Sequence, residues 1–316
     1  MKPFLVKLLR RFTRMPVRPA FAEYATSAAA NQLRALMKDR FTVAGLKNVS
    51  ADDFQKHIQS LPGKRDAEVE GFTDASRQRD FTIQFEWGHN HDFGTFSMQG
   101  TMRDRHVNIL ATLLTDYGLT VADFAGKRVL DIGCWTGGTS LLLAAMGAEV
   151  VAIEEVKKYA ICVEYLANAF GLTNLTVERH SLYALDMPEF YERFDFVLYS
   201  GVLYHVTDPV LSLRIAFNCL RDGGRCMLET YAANGADSYC EYHGAYETYN
   251  RETRGQPRWG WNWFLPTPEA TKRMMIDVGF RVTKIDLHDE NRVLAIGVRD
   301  QHVDMLRAGL SKPSVR

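Results

Sequence analysis

Cysteine is sparse in this chain of 316 residues, with five copies and no Cys-x-x-Cys pair. That pattern gives no disulfide framework and no thiolate metal motif. Cys134, Cys162, Cys219, Cys226 and Cys240 therefore read as reduced thiols, and a cytoplasmic location is expected. An excess of charge is also missing. Lys and Arg number 38 against 38 Asp and Glu, for a formal net charge of zero. A dedicated nucleic-acid binder usually carries a basic surplus, so the balance weighs against that class without excluding a local basic patch. No run of eighteen apolar residues exists, and no membrane span is expected. Internal repeats and low-complexity tracts are absent. His89 and His91 form a His-x-His pair with no third ligand close by, so no metal site is expected.

The most informative stretch runs from Arg128 to Ser140. Val129-Leu130-Asp131-Ile132 has strand character and ends in the glycine-rich turn Gly133-Cys134-Trp135-Thr136-Gly137-Gly138. A buried helix follows through Leu141, Leu142 and Leu143. Such a strand–loop–helix unit binds nucleotide-like ligands at the carboxyl end of a parallel strand. About twenty residues on, Val150-Val151-Ala152-Ile153 ends in Glu154 and Glu155. An acid at that strand tip is placed to accept from ribose hydroxyls, with Glu154 the first choice; a solvated helix start is the plainer alternative. The Gly-x-Gly-x-x-Gly spacing of dehydrogenases is absent.

The alternation continues with strands at 174–178, 194–199 and 225–230, the last after an Asp222-Gly223-Gly224 turn. Asp208-Pro209 reads as a helix start. Residues 280–287 and 292–298 read as a terminal antiparallel pair. The fold class expected is α/β, a doubly wound parallel sheet closed by that hairpin. Residues 1–120 are expected to form a mostly helical accessory region with a turn at Leu61-Pro62-Gly63. Residues 121–300 form the core domain and 301–316 a tail. Residues 1–22 hold six Lys or Arg and no acid, with Phe4, Leu5, Leu8, Leu9 and Phe12 at helical spacing. An amphipathic surface helix, a transit peptide and a helix packed on a partner subunit of a homo-oligomer all remain open there.

The turn after Asp131 resembles motif I of class I S-adenosylmethionine (SAM) methyltransferases, Asp-x-Gly-x-Gly-x-Gly, with Trp135 in place of the middle glycine. Ser200-Gly201-Val202-Leu203-Tyr204-His205 resembles the motif IV region of the family of tRNA wobble-uridine carboxymethyltransferases and their relatives. Trp263-Phe264-Leu265-Pro266-Thr267-Pro268 and Glu86-Trp87-Gly88-His89-Asn90-His91 resemble that family's late and early segments. The resemblance implies a Rossmann-like methyltransferase with SAM as cofactor. It places Asp131, Gly133, Cys134, Trp135, Gly137, Glu154, Glu155, Ser181, Leu182 and Ser200 at the cofactor, and Tyr204 and His205 at the chemistry. Trp87, His89, His91, Arg292, Trp259 and Trp263 fall on the substrate side, and the aromatic insertion 231–264 reads as a lid.

Phe93 aligns where a lysine of the family holds the extra carboxylate of carboxy-SAM. An apolar ring cannot pair that charge, so plain SAM is expected. A small-molecule acceptor leads, with tRNA wobble uridine as the alternative and a non-catalytic SAM-fold interaction protein as the third reading. His205 is the candidate general base, since an unperturbed imidazole titrates near working pH; shaping the loop is its plainer role. A thioether acceptor would need no base.

Overall fold

The computed structural model describes residues 18–64, 84–244, 262–289 and 291–300. Helix α1 (Ala28–Arg40) is capped by the Ser27 hydroxyl, which accepts from the Ala30 N–H, and α2 (Ala51–Gln59) is capped by Ser50 in the same way. A small hairpin, β1 (His91–Asp92) with β2 (Ser97–Met98), precedes α3 (Arg105–Asp116). Alternation then sets in: β3 (Arg128–Ile132), α4 (Gly138–Ala145), β4 (Glu149–Ile153), α5 (Lys157–Ala169), β5 (Leu175–Glu178). After β6 (Phe194–Ser200) and α6 (Pro209–Cys219) come β7 (Leu220–Tyr231), β8 (Cys240–Tyr242) and β9 (Phe264–Pro266). The chain of elements ends in α7 (Pro268–Asp277), β10 (Phe280–His288) and β11 (Arg292–Arg299).

Seven strands form one sheet in the order β10-β11-β7-β6-β3-β4-β5. β3, β4 and β5 pair in parallel, with Asp131 opposite Ala152 and Ile153 opposite Glu178. β11 runs antiparallel to both β10 and β7. This is the mixed Rossmann-like sheet that the alternation and the terminal hairpin implied. Val129, Leu130 and Ile132 of β3 are buried, and so are Leu141, Leu142 and Leu143 of α4. Continuous apolar runs of this kind suit strands covered on both faces.

Two compact units arise. One comprises Phe21–Met187 with Phe194–Phe196; the other comprises the described residues of Met1–Ala20, Pro188–Arg193 and Val197–Arg316. Within the first, α1 and α3 pack on α4, so the helical region belongs with the glycine-loop half of the sheet. The compact units thus divide elsewhere than between residues 120 and 121. Within the second, the Arg18 N–H donates to the Leu287 carbonyl at 2.7 Å and Arg18 Nε meets Asp286 at 3.1 Å. The helical spacing over residues 4–12 and the tail 301–316 lie outside the described residues.

Three details differ from the sequence reading. β7 begins at Leu220 and runs through Asp222-Gly223-Gly224 instead of starting after it, with Gly223 at φ 73° absorbing the irregularity. Asp208 occupies the cap position of α6, but its side chain makes no cap bond, and Pro209 carries the start signal. The β1–β2 and β8–β9 pairs were not anticipated, because two or three residues are too few to show a period. Among the described residues, no helix is long and apolar enough to cross a membrane.

Candidate active site

The glycine loop takes its shape from a series of left-handed residues. Gly133 has φ 74°, Trp135 φ 51° and Gly137 φ 80°. The glycines adopt this without a steric penalty, whereas Trp135 does not. Trp135 is held there by Glu154, whose Oε2 accepts from the Trp135 N–H at 2.8 Å. Its Oε1 accepts from the Val156 N–H, also at 2.8 Å. The acid at the tip of β4 is thereby fixed by two main-chain donors, while an ionised carboxylate has about four acceptor positions. Glu155 is half-buried beside it.

Asp131 is buried and accepts from the Ser140 hydroxyl at 2.5 Å, tying the end of β3 to α4. Burial pushes its carboxyl up to about 6, against the pull of Ser140. Burial, with Glu154 and Asp131 nearby, drives the Cys134 thiol well above its usual range. Ser181 and Leu182 are buried in the turn that follows β5. No side chain caps α4, since its cap residue is Gly137, and no acid sits in its first turn.

The segment Gln84–His89 lies on this loop. The Gly88 N–H donates to Thr136 Oγ1 at 3.0 Å, and a Cβ on Gly88 would stand 2.8 Å from the Trp135 ring. Tyr159 of α5 fastens the same segment: its hydroxyl receives the Glu86 N–H and donates to the Gln84 carbonyl, each at 3.2 Å. His89 presses its ring on Gly138 and lies 4.5 Å from His106, centroid to centroid. Trp87 is buried against Phe85 and Phe93. His91 stacks on Phe93 at 3.8 Å and pairs through Nε2 with the Phe41 carbonyl at 3.0 Å. His91 and Phe93 are thus core residues, Phe93 being fully buried and also packed on Phe54 and Phe96. Burial holds the His89 and His91 imidazoles down at about 4, so both are neutral at pH 7.

The second unit carries the other cluster. Glu229 of β7 is buried and grips Arg292 of β11 with both oxygens, at 2.6 and 3.1 Å. The Arg292 guanidinium lies 5.3 Å from the Tyr204 ring centroid and 5.4 Å from that of Tyr231. Burial is the largest single influence and opposes its charge, but Glu229 and Tyr204 together hold Arg292 above its ordinary value. The Ser200 hydroxyl reaches Glu229 at 3.3 Å, so Ser200 joins this cluster. His205 tilts against Tyr204, ring centroids 4.1 Å apart. The Trp263 N–H donates to the Tyr204 carbonyl at 2.8 Å, fixing the base of the expected lid to the loop that bears Tyr204. Trp259 and residues 245–261 lie outside the described residues.

Sequence reasoning missed Glu229, Tyr159, Thr136 and His106. Glu229 had a signal, a lone acid inside the apolar strand Cys226-Met227-Leu228, whereas Tyr159 and His106 looked like ordinary helix residues. Among the described residues, no group of three or more His, Cys, Asp or Glu is placed to hold a metal ion.

The chain matches the family described as "Methyltransferase domain" over residues 102–285, more than half of its length. It belongs to that family, whose members take their methyl group from SAM. A tRNA U34 carboxymethyltransferase of Desulfotalea psychrophila is 36% identical over 118 residues, 37% of this chain and 36% of that protein. One of Azotobacter vinelandii is 30% identical over 166 residues, 50% of this chain and 46% of that protein. The chain thus spans less than half the length of the curated relatives it matches. Among solved structures, the N-terminal domain of EvdMO1, determined in the presence of SAH and D-fucose, is 17% identical with a TM-score of 0.53. That likeness covers 80% of this chain and 98% of that one, and shows a shared fold.

Proposed function

We propose that the chain transfers a methyl group from SAM to a small-molecule acceptor. The glycine loop, the uncapped start of α4 and the fixed Glu154 carboxylate fit the donor. When bound, SAM supplies a methyl group on a sulfonium sulfur for in-line displacement. Glu154 receives the ribose hydroxyls, held in register by Trp135 and Val156 so that it does not have to reorganise on binding. The Gln84–His89 segment covers the loop and excludes water from its buried side. Tyr204 orients the acceptor, and His205 takes a proton where the acceptor carries one.

The observation that carries the small-molecule reading is the Arg292–Glu229 pair. A guanidinium engaged through two bonds to a buried carboxylate brings no net charge to the cluster, so it offers little to an RNA phosphate. It suits a neutral acceptor, and the balanced composition of the whole chain agrees. A tRNA wobble uridine is the second reading, favoured by the tRNA U34 carboxymethyltransferases at 30–36% identity. Incubation with isotopically labelled SAM, with metabolite extract in one arm and total tRNA in the other, decides between them. Label in a small compound is expected; label confined to tRNA overturns the acceptor reading.

A further inference from the structure

The small β8–β9 sheet carries a polar pair to which the methyl transfer above gives no role. Glu241 of β8 stands opposite Leu265 of β9 in the strand register. Leu265 packs with Tyr204 and Ala233, and Tyr231 lies against the same cluster. Side chains directly opposite one another in a strand pair share one face of the sheet. The Glu241 carboxylate is therefore on the face that meets Tyr204, while its neighbour Tyr242 falls on the other face and is 63% exposed. His243, two residues after Glu241, returns to the inner face and is buried. Its Nε2 stands 3.5 Å from Glu241 Oε1. The His243 side chain is 1% exposed and that of Glu241 25%, so the carboxylate is the member of the pair that a ligand can touch. Two main-chain bonds of 2.8 Å hold this face in place. The His243 N–H donates to the Trp263 carbonyl, and the Trp263 N–H donates to the Tyr204 carbonyl.

We propose that Glu241, oriented by His243, binds the acceptor and selects a compound that presents a hydroxyl or amino group. The assignment rests on the methyl-transfer reading above. An ionised carboxylate only accepts hydrogen bonds, and it has about four positions for them. His243 fills one and fixes the direction of the side chain; an O–H or N–H of the acceptor fills another. A phosphate or carboxylate has no proton to offer there at neutral pH and is repelled, so the same oxygens select against anionic compounds.

Labelled SAM, with metabolite extract divided by ion exchange into anionic and non-anionic fractions, tests the assignment. The wild-type chain is expected to label a compound of the non-anionic fraction. Glu241→Gln should raise the amount of that fraction needed for half-maximal rate by on the order of tenfold. The plateau rate should change little, and calorimetry should show S-adenosylhomocysteine bound as tightly as before. His243→Ala should give a smaller rise in the same quantity. His243→Gln, whose amide N–H reaches toward the place of Nε2, should reverse that rise, which a merely structural role would not do. Label in an anionic compound, or a half-maximal amount unchanged in Glu241→Gln, overturns the role of Glu241 while the methyl-transfer reading stands. Label confined to tRNA overturns the small-molecule reading, and this proposal with it.

Discussion

The Trp135 main-chain N–H and the Glu154 carboxylate meet at 2.8 Å, so the residue that breaks the glycine pattern is held by the residue expected to bind ribose. Backbone shape and cofactor recognition are therefore linked. Glu154→Ala should lose most SAM affinity and loosen the loop. Glu154→Gln is not the mild change it looks on paper. It turns one of two acceptor oxygens into an NH2 group facing a main-chain N–H, leaving one donor unpaired at about 1–3 kcal/mol. Calorimetry with S-adenosylhomocysteine and urea unfolding of both variants should show joint losses in affinity and stability; unchanged affinity would sink the ribose assignment.

Gly88→Ala should destabilise the chain by about 1–3 kcal/mol, because its Cβ would stand 2.8 Å from both the Trp135 ring and Thr136 Oγ1. Trp135→Gly in the same chain removes the ring and relieves the positive φ, so part of the loss should return. Additive losses in thermal unfolding would show that the two residues are not coupled.

Arg292→Met removes the charge that the buried Glu229 carboxylate pairs with and should cost about 3–5 kcal/mol. The double variant Arg292→Met, Glu229→Gln should be less destabilised than Arg292→Met alone. Chemical denaturation of the three proteins checks this, and equal losses in both variants would contradict it.

Stability should rise with pH between about 4 and 6.5. His89 and His91 are held at about 4 in the fold against 6.5 in the unfolded chain, so the unfolded state binds more protons across that window. Asp131 acts with the opposite sign. Raised to about 6 from 3.8, it keeps its proton longer in the fold and favours lower pH across that range. Two groups against one leave a net rise, and Asp131→Asn should make it steeper. Urea midpoints at pH 4.5, 5.5 and 6.5 measure the slope; a flat or falling profile speaks against it.

Tyr204→Phe should lower turnover at intact SAM affinity, since it removes only a hydroxyl. His205→Ala should cost on the order of 10²–10⁴ in rate with a proton-bearing acceptor, and far less with a thioether. Full activity in both variants would place the chemistry elsewhere.

The sheet was legible because strands and helices alternate in order, and because Asp131, the glycines and Glu154 sit at fixed distances along it. Local spacing determines the loop's shape, so spacing revealed it. Glu229 and Arg292 lie 63 residues apart and pair only because β7 and β11 are neighbours in the sheet. His91 is the opposite case. The resemblance places it on the substrate side, but it is buried against Phe93 and Phe41 in an aromatic core that one-dimensional spacing does not show.

β10 ends the seven-stranded order, so among the described residues one of its sides has no strand partner. Bare strand sides invite pairing with another chain and can seed aggregation. The Arg18 amide on the Leu287 carbonyl, with His288 Nδ1 on the Pro19 carbonyl at 2.9 Å, blunts that side. A stretch from the beginning of the sequence thereby guards the far end, and trimming it away would leave β10 open to self-association even where the chemistry survived.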